Sequence, residues 1–168
     1  MTQGDGPRMT GRVSVRQEDF DLSAEVAALR ADDARVGAVA TFTGTVRDRH
    51  GGESGIRALE LEHYPGMTEA ALEAMIDEAH RRFDILGARI VHRVGRLAPT
   101  EQIVLVAVAS AHRAEAFHAC EFLMDYLKTQ APFWKKETTA EGSRWVDARM
   151  ADDEALRRWG IEAANAAP

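Results

Sequence analysis

Residues 89–130, RIVHRVGRLAPTEQIVLVAVASAHRAEAFHACEFLMDYLKTQ, are the stretch on which the fold turns. Ile103 to Ala109 is apolar at every position but carries no helical punctuation, so it reads as a strand with both faces buried and therefore central in its sheet. Arg89 to Leu97 reads as a second strand, and the short Ala98-Pro99-Thr100 connection predicts a hairpin between the two. Beyond Ser110 the period changes. Phe117, Cys120, Met124 and Leu127 recur at steps of three and four, which predicts a long amphipathic helix from near His112 to about Gln130 with these residues as its inner stripe. Pro132 ends it.

Thr68 to Phe83 places Ala71, Leu72, Met75, Ile76, Ala79 and Phe83 at helical spacing and predicts a second amphipathic helix. Arg12 to Arg16 alternates as a half-buried strand does, and Asp21 or Ser23 can cap a helix to about Arg30. Val36 to Val46 is rich in β-formers and runs into DRHGGESG (48–55), where a mobile loop is expected. Ile56 to Tyr64 alternates again, is stopped by Pro65-Gly66, and is expected to pair with the strand before it. Phe133 to Thr138 and Arg144 to Ala148 read as strands about an Ala140-Glu141-Gly142 turn, and Asp152 can cap a last helix through Trp159. Strands and helices mixed without regular βαβ alternation predict an α+β class. One domain is expected over 12–159, with flexible tails at 1–11 and 160–168.

At 168 residues, 45% hydrophobic and 29% charged, the chain is sized for one domain with a core of its own. A net charge of -6 argues against a general nucleic-acid binder, which needs a basic face for the phosphate backbone. The single cysteine, Cys120, cannot form an internal disulfide, and no Cys/His spacing resembles a zinc site; a reducing cytoplasm is expected. The first residues lack an apolar core of a signal peptide, and Ile103 to Ala109, the longest apolar run, is too short to span a bilayer. No GxGxxG or P-loop is present, so a nucleotide-binding reading has nothing to rest on.

Chemistry concentrates in MDYLKTQAPFWKKE, residues 124–137. Lys128 falls in the last turn of the long helix and Lys135 follows a rigid Pro-Phe-Trp corner, which brings two ammonium groups toward one place. On spacing alone the structural reading leads: Lys128 complements the helix dipole, and Lys135 and Lys136 are solvated strand residues. The functional reading is that desolvated, mutually repelling lysines have lowered proton affinity, one suited to proton transfer and the other to holding an anion. Ser110-Ala111-His112-Arg113 sits at a helix N-terminus, where a phosphate fits; equally, Ser110 caps and His112 and Arg113 are exposed. Arg47 closes a strand beside the Gly51-Gly52 loop, within reach of a phosphate or simply of solvent. His63 and Tyr64 read as a turn-packing pair, and Cys120 as core.

Five ordered blocks, TFTGTVR (41–47), LEHYPGM (61–67), SAHR (110–113), MDYLKTQAPFWKKE (124–137) and RWVDAR (144–149), resemble the catalytic large subunit of molybdopterin synthase, a likeness running from about residue 13 to 159. The resemblance implies an α/β hammerhead fold with an additional antiparallel β subdomain. It implies a homodimer within a heterotetramer, each end carrying a small ubiquitin-like sulfur-carrier subunit whose C-terminal Gly-Gly bears a thiocarboxylate. The implied substrate is cyclic pyranopterin monophosphate and the product is the molybdopterin dithiolene. No metal and no cofactor are implied, because molybdenum is inserted later by other proteins, and the sulfur does not come from Cys120.

Matched by position, Lys128 and Lys135 are the implied catalytic lysines. Arg47, His112, Arg113, Lys136 and Glu137 are the implied lining of the pterin-phosphate pocket, with Arg149 joining them. His112 and Arg113 are expected to reach across to the neighbouring subunit's site. The sequence departs from the family at Thr45, where many relatives carry lysine. Two other classes stay open on residues alone: a scaffold that only holds a ubiquitin-like tail, and a Schiff-base lysine enzyme.

Overall fold

The computed structural model describes residues 11–50, 53–146 and 150–161. Its first sheet has the order β1-β6-β8-β2, formed by Val13–Arg16 (β1), Gly87–Arg93 (β6), Gln102–Ser110 (β8) and Ala38–Thr45 (β2). Its second has the order β10-β9-β5-β7, formed by Gly142–Trp145 (β10), Phe133–Thr139 (β9), Ala58–His63 (β5) and Gly95–Leu97 (β7). Arg49–His50 (β3) and Glu53–Ser54 (β4) pair with each other alone. The helices are Leu22–Arg30 (α1), Met67–Arg82 (α2), Arg113–Gln130 (α3) and Met150–Arg157 (α4). This is the α+β hammerhead arrangement with an added antiparallel β subdomain.

The central strand behaves as its composition requires. Val104, Val106 and Val108 of β8 join the main core with residues of α2 and α3, while Leu105 and Ala107 point to the other face with Phe20 and Val91. Ile90, Leu72, Ile76, Phe122 and Leu123 are fully buried in that main core. Truncating one of these large apolar side chains to alanine typically costs about 2–5 kcal/mol. A smaller cluster, Val46, Leu59, Leu61, Val94 and Leu97, fills the junction between the two sheets.

Several expectations hold in detail. Asp21 caps α1 through a bond from the Ala24 amide, β6 and β8 pair antiparallel, and β9 and β10 pair about Ala140-Glu141, with β10 running over Gly142–Trp145 rather than from Arg144. Others are corrected. The strand expected over Arg89 to Leu97 divides at Gly95, whose φ of 85° turns the chain out of the first sheet and into the second. β5 does not pair with β2; it lies between β7 and β9, while β2 pairs with β8. Pairing is non-local, and β-propensity carries no information about partners.

Phe117 is 64% exposed rather than part of the inner stripe of α3. The buried face is set by Ala116, Ala119, Cys120 and Leu123, the first three small enough to let the helix approach the sheet. Ser110 does not cap α3: its hydroxyl donates to the Asp84 carbonyl at 2.7 Å, and the N-cap is His112. Asp152 lies inside α4, which begins at Met150, and so does not cap it. Within the 48–55 segment Arg49–His50 and Glu53–Ser54 pair as β3 and β4, and Gly51 and Gly52 lie outside the described residues. Trp159 and Ile161 pack against the main core, so chain order persists to the end of the described residues.

Candidate active site

A cavity of about 540 Å³ opens where the second sheet meets the C-terminal end of α3 and the edge strand β2. Its cations come from separate parts of the chain. Lys128 comes from the last turn of α3, Lys135 from β9, and Arg47 from the segment after β2. The register of β2 against β8 shifts between Gly44 and Thr45, and such an irregularity re-aims the side chains that follow it. Thr45, Val46 and Arg47 then all line the cavity, and Arg49 of β3 does too. Leu59, Leu61, Ile103 and Phe133 supply an apolar wall.

Strand alternation sorts β9 cleanly. Phe133, Lys135 and Glu137 face the cavity, whereas Trp134 stacks edge-on against Tyr64 and Lys136 lies over the Trp145 ring on the opposite face. Glu137 is 2% exposed and lies 3.7 Å from the Arg144 guanidinium, which offsets the cost of burying its charge. Lys128 is exposed at the cavity rim and only Lys135 is half-buried, so the expected joint desolvation of the two lysines is not met for Lys128.

Within one chain the structure therefore brings together Lys128, Lys135, Arg47 and Glu137. It does not bring Lys136, which the period of the strand turns away. His112 and Arg113 are exposed at the far end of α3, a full helix length from Lys128. Arg149 lies outside the described residues. Cys120 sits on the buried face of α3 with its thiol pushed up to about 11 by burial and then by Glu121, so it is a protonated core thiol at neutral pH.

Sequence reasoning missed His92. It lines the cavity, is 5% exposed, and stacks on Phe133 with ring centroids 3.8 Å apart and planes at 17°. Burial, followed by the charges of Lys128, Lys135 and His63, depresses its pKa to about 4 against a weaker opposing pull from the Arg93 carbonyl. The signal available was slight: a histidine on the same face of the strand as Ala88 and Ile90 reads as core. Phe42 and Arg49, also at the cavity, were missed for the ordinary reason that isolated aromatic and basic residues are common.

A family model described as MoaE protein matches residues 15–130. The chain is 62% identical over 154 residues to the molybdopterin synthase catalytic subunit of Ralstonia nicotianae, covering 92% of this chain and 87% of that protein. The solved structure of the molybdopterin biosynthesis MoaE protein from Burkholderia ambifaria superposes with a TM-score of 0.78 at 59% identity, covering 91% of this chain and all (100%) of that one. The crystal structure of molybdopterin synthase from Staphylococcus aureus does so with a TM-score of 0.76 at 32% identity, covering 82% and 98% of the two chains. The hammerhead sheet, its antiparallel subdomain and the cationic cavity at their junction thus define a protein of the molybdopterin-biosynthesis class. Within that class, the chain belongs to the MoaE family of molybdopterin synthase catalytic subunits.

Proposed function

We propose that the cavity is where sulfur passes from the C-terminal thiocarboxylate of a small ubiquitin-like partner subunit to cyclic pyranopterin monophosphate, making the dithiolene of molybdopterin. The observation that carries this reading is the convergence of Lys128, Lys135 and Arg47, from three separate parts of the chain, on one cavity of a size that holds a fused-ring pterin phosphate. The substrate brings a phosphate and the partner a thiocarboxylate anion, so the site must neutralise negative charge before the two can meet.

The thiocarboxylate sulfur bonds to an oxygen-bearing side-chain carbon of the substrate as the carbon–oxygen bond there breaks, the departing oxygen taking up a proton or remaining on the phosphate, and partner and pterin are joined as a thioester. Water then cleaves the carbonyl–sulfur bond, leaving the sulfur on the pterin and a carboxylate on the partner. Two sulfurs require two partner molecules in turn. In this scheme Lys128 transfers the proton or stabilises developing charge, and Lys135 holds the partner's carboxyl end. Arg47 binds the phosphate with His112 and Arg113 contributed by a second copy of the chain. Glu137 orders the floor of the site, while Lys136 and Arg149 add positive charge around it.

A homodimer of this chain with one partner at each end is the assembly that serves these sites. Among the described residues no helix is long and apolar enough to cross a membrane. We place the enzyme in the cytoplasm, where a lone buried thiol and a reactive thiocarboxylate both persist. The test is direct: purified protein, thiocarboxylated partner and pterin substrate are incubated and dithiolene product is measured. Partner binding without product would leave only a scaffold.

A further inference from the structure

His92 occupies the last-but-one position of β6, on the face that carries Ala88 and Ile90 toward α2 and α3. Its neighbours across the strands are Val15 and Val104, so no polar group flanks it within the sheet. The ring is held in two ways. One face lies on Phe133 at 3.8 Å, and Nδ1 stands 2.8 Å from the Arg93 carbonyl oxygen. A carbonyl can only accept, so Nδ1 carries the proton and donates it. In the neutral ring that leaves Nε2 as a bare lone pair. Among the described residues only Nδ1 of the ring has a hydrogen bond, and Nε2 is not one of their enclosed unpaired atoms, so it opens onto the cavity that His92 lines although the residue is 5% exposed.

The remaining polar lining of the cavity is dominated by donors. Arg47, Arg49, Lys128 and Lys135 can only give hydrogen bonds, the Thr43 and Thr45 hydroxyls can give or accept them, and the one carboxylate, Glu137, is engaged by Arg144. A ligand that presents N–H groups as well as anions needs an acceptor, and a fixed, uncharged one discriminates best. A buried acceptor left empty penalises any ligand lacking the donor. We propose that His92 is a substrate-contacting specificity residue, its Nε2 accepting a hydrogen bond from a ring or amino N–H of the pterin. The inference rests on the proposed function of the cavity and names a residue to which that function assigns nothing.

The surroundings keep the ring in the accepting form. Burial first, then Lys128 from α3, Lys135 from β9 and His63 from β5, oppose a proton on Nε2, and only the bond to the Arg93 carbonyl favours one.

Two amide variants separate the ring atoms. His92→Gln can place its carbonyl oxygen where Nε2 lies, whereas His92→Asn reaches only the Nδ1 position and leaves the acceptor site empty. Binding of the substrate pterin to the full chain is measured by calorimetry, without partner or turnover, and kcat and KM are then measured with the thiocarboxylated partner. The expected result is that His92→Asn weakens pterin binding and raises KM roughly tenfold to a hundredfold, as loss of a buried hydrogen bond does, while His92→Gln stays within a few-fold of wild type. Equal binding by wild type and His92→Asn overturns the proposal, as does equal weakening in both variants. Nitrogen-15 spectra of the unsubstituted protein give an answer independent of variant folding. A neutral Nδ1–H tautomer whose Nε2 resonance moves when pterin binds is expected, and a proton found on Nε2 overturns the proposal. Failure of the wild type to bind pterin at all would instead remove the proposed function beneath it.

Discussion

Lys128 and Arg113 stand at opposite ends of α3, fifteen residues and, at 1.5 Å per residue, about 22 Å apart along one helix. No side chain spans that gap, so if both serve the phosphate-bearing substrate they do so from different copies of the chain. Mixing Arg113→Ala chains with Lys128→Ala chains is then expected to produce active hybrids from two inactive parents, in the fraction of dimers whose intact site combines an unaltered residue from each. Hybrids shown to form, by tagging each parent differently, yet yielding no product would place Arg113 outside the site.

Lys128 itself makes a sharper case. It lies on the rim of the cavity and outside the core, so Lys128→Ala removes charge without opening a void. The variant is expected to melt like wild type, bind the partner, and lose roughly a hundredfold to a thousandfold in product formation, the scale of losing one charge-stabilising group. Lys128→Arg is expected to rescue poorly, because a guanidinium stays charged and cannot exchange a proton. Single-turnover rates within a few-fold of wild type for Lys128→Ala would remove the assignment.

What was legible in the sequence divides along physical lines. The helices α2 and α3 appeared within a residue or two of their observed ends because a 3.6-residue period is a local property, and the antiparallel pairing of β6 with β8 because the two runs are near neighbours in sequence, although residues 94–101 between them carry β7 into the second sheet. The pairing of β2 with β8, rather than with β5, was not legible, since it joins segments far apart in sequence. Lys128 and Lys135 were found because one contiguous block carries both. The facing of Lys136 was in principle readable, for adjacent strand residues alternate, and the two lysines on either side of that alternation cannot share a pocket. His92 was not readable: its significance comes from what lies across space from it, Phe133 and the cavity, and from a carbonyl that fixes its tautomer.

The same burial makes His92 a reporter of stability. Its pKa falls from 6.5 to about 4 on folding, so the unfolded chain binds the proton more readily between those values. The contribution is fully present above pH 6.5 and is lost as the pH falls toward 4. At about 1.4 kcal/mol for each tenfold change in proton affinity, that amounts to about 3 kcal/mol. Denaturant unfolding at pH 7 and pH 4 is expected to show wild type losing about 3 kcal/mol more than His92→Gln, which has no proton to gain. Parallel losses in the two proteins would mean that the imidazole is charged, or solvated, in the folded state.

The last expectation concerns the partner's tail. To reach Lys128 and Lys135 it has to enter a cavity walled by Leu59, Leu61, Ile103 and Phe133, and a chain can run that close to side chains most easily where it has no Cβ of its own. A Gly-Gly terminus meets that condition, and its terminal anion is drawn inward by the two ammonium groups together with Arg47. Removing the last two residues of the partner is therefore expected to abolish sulfur transfer and to weaken binding as well. The loss of affinity should be larger at low salt, where the attraction between tail and cavity is least screened, and should shrink as ionic strength rises and the Debye length falls to roughly 8 Å or less. Charge reversal elsewhere on the partner would not reproduce this pattern, because only the tail carries its anion into the cavity. A truncated partner that binds with unchanged affinity and unchanged salt dependence would show that docking rests wholly on the folded surfaces, leaving the cavity's cations to act on the pterin and the thiocarboxylate alone.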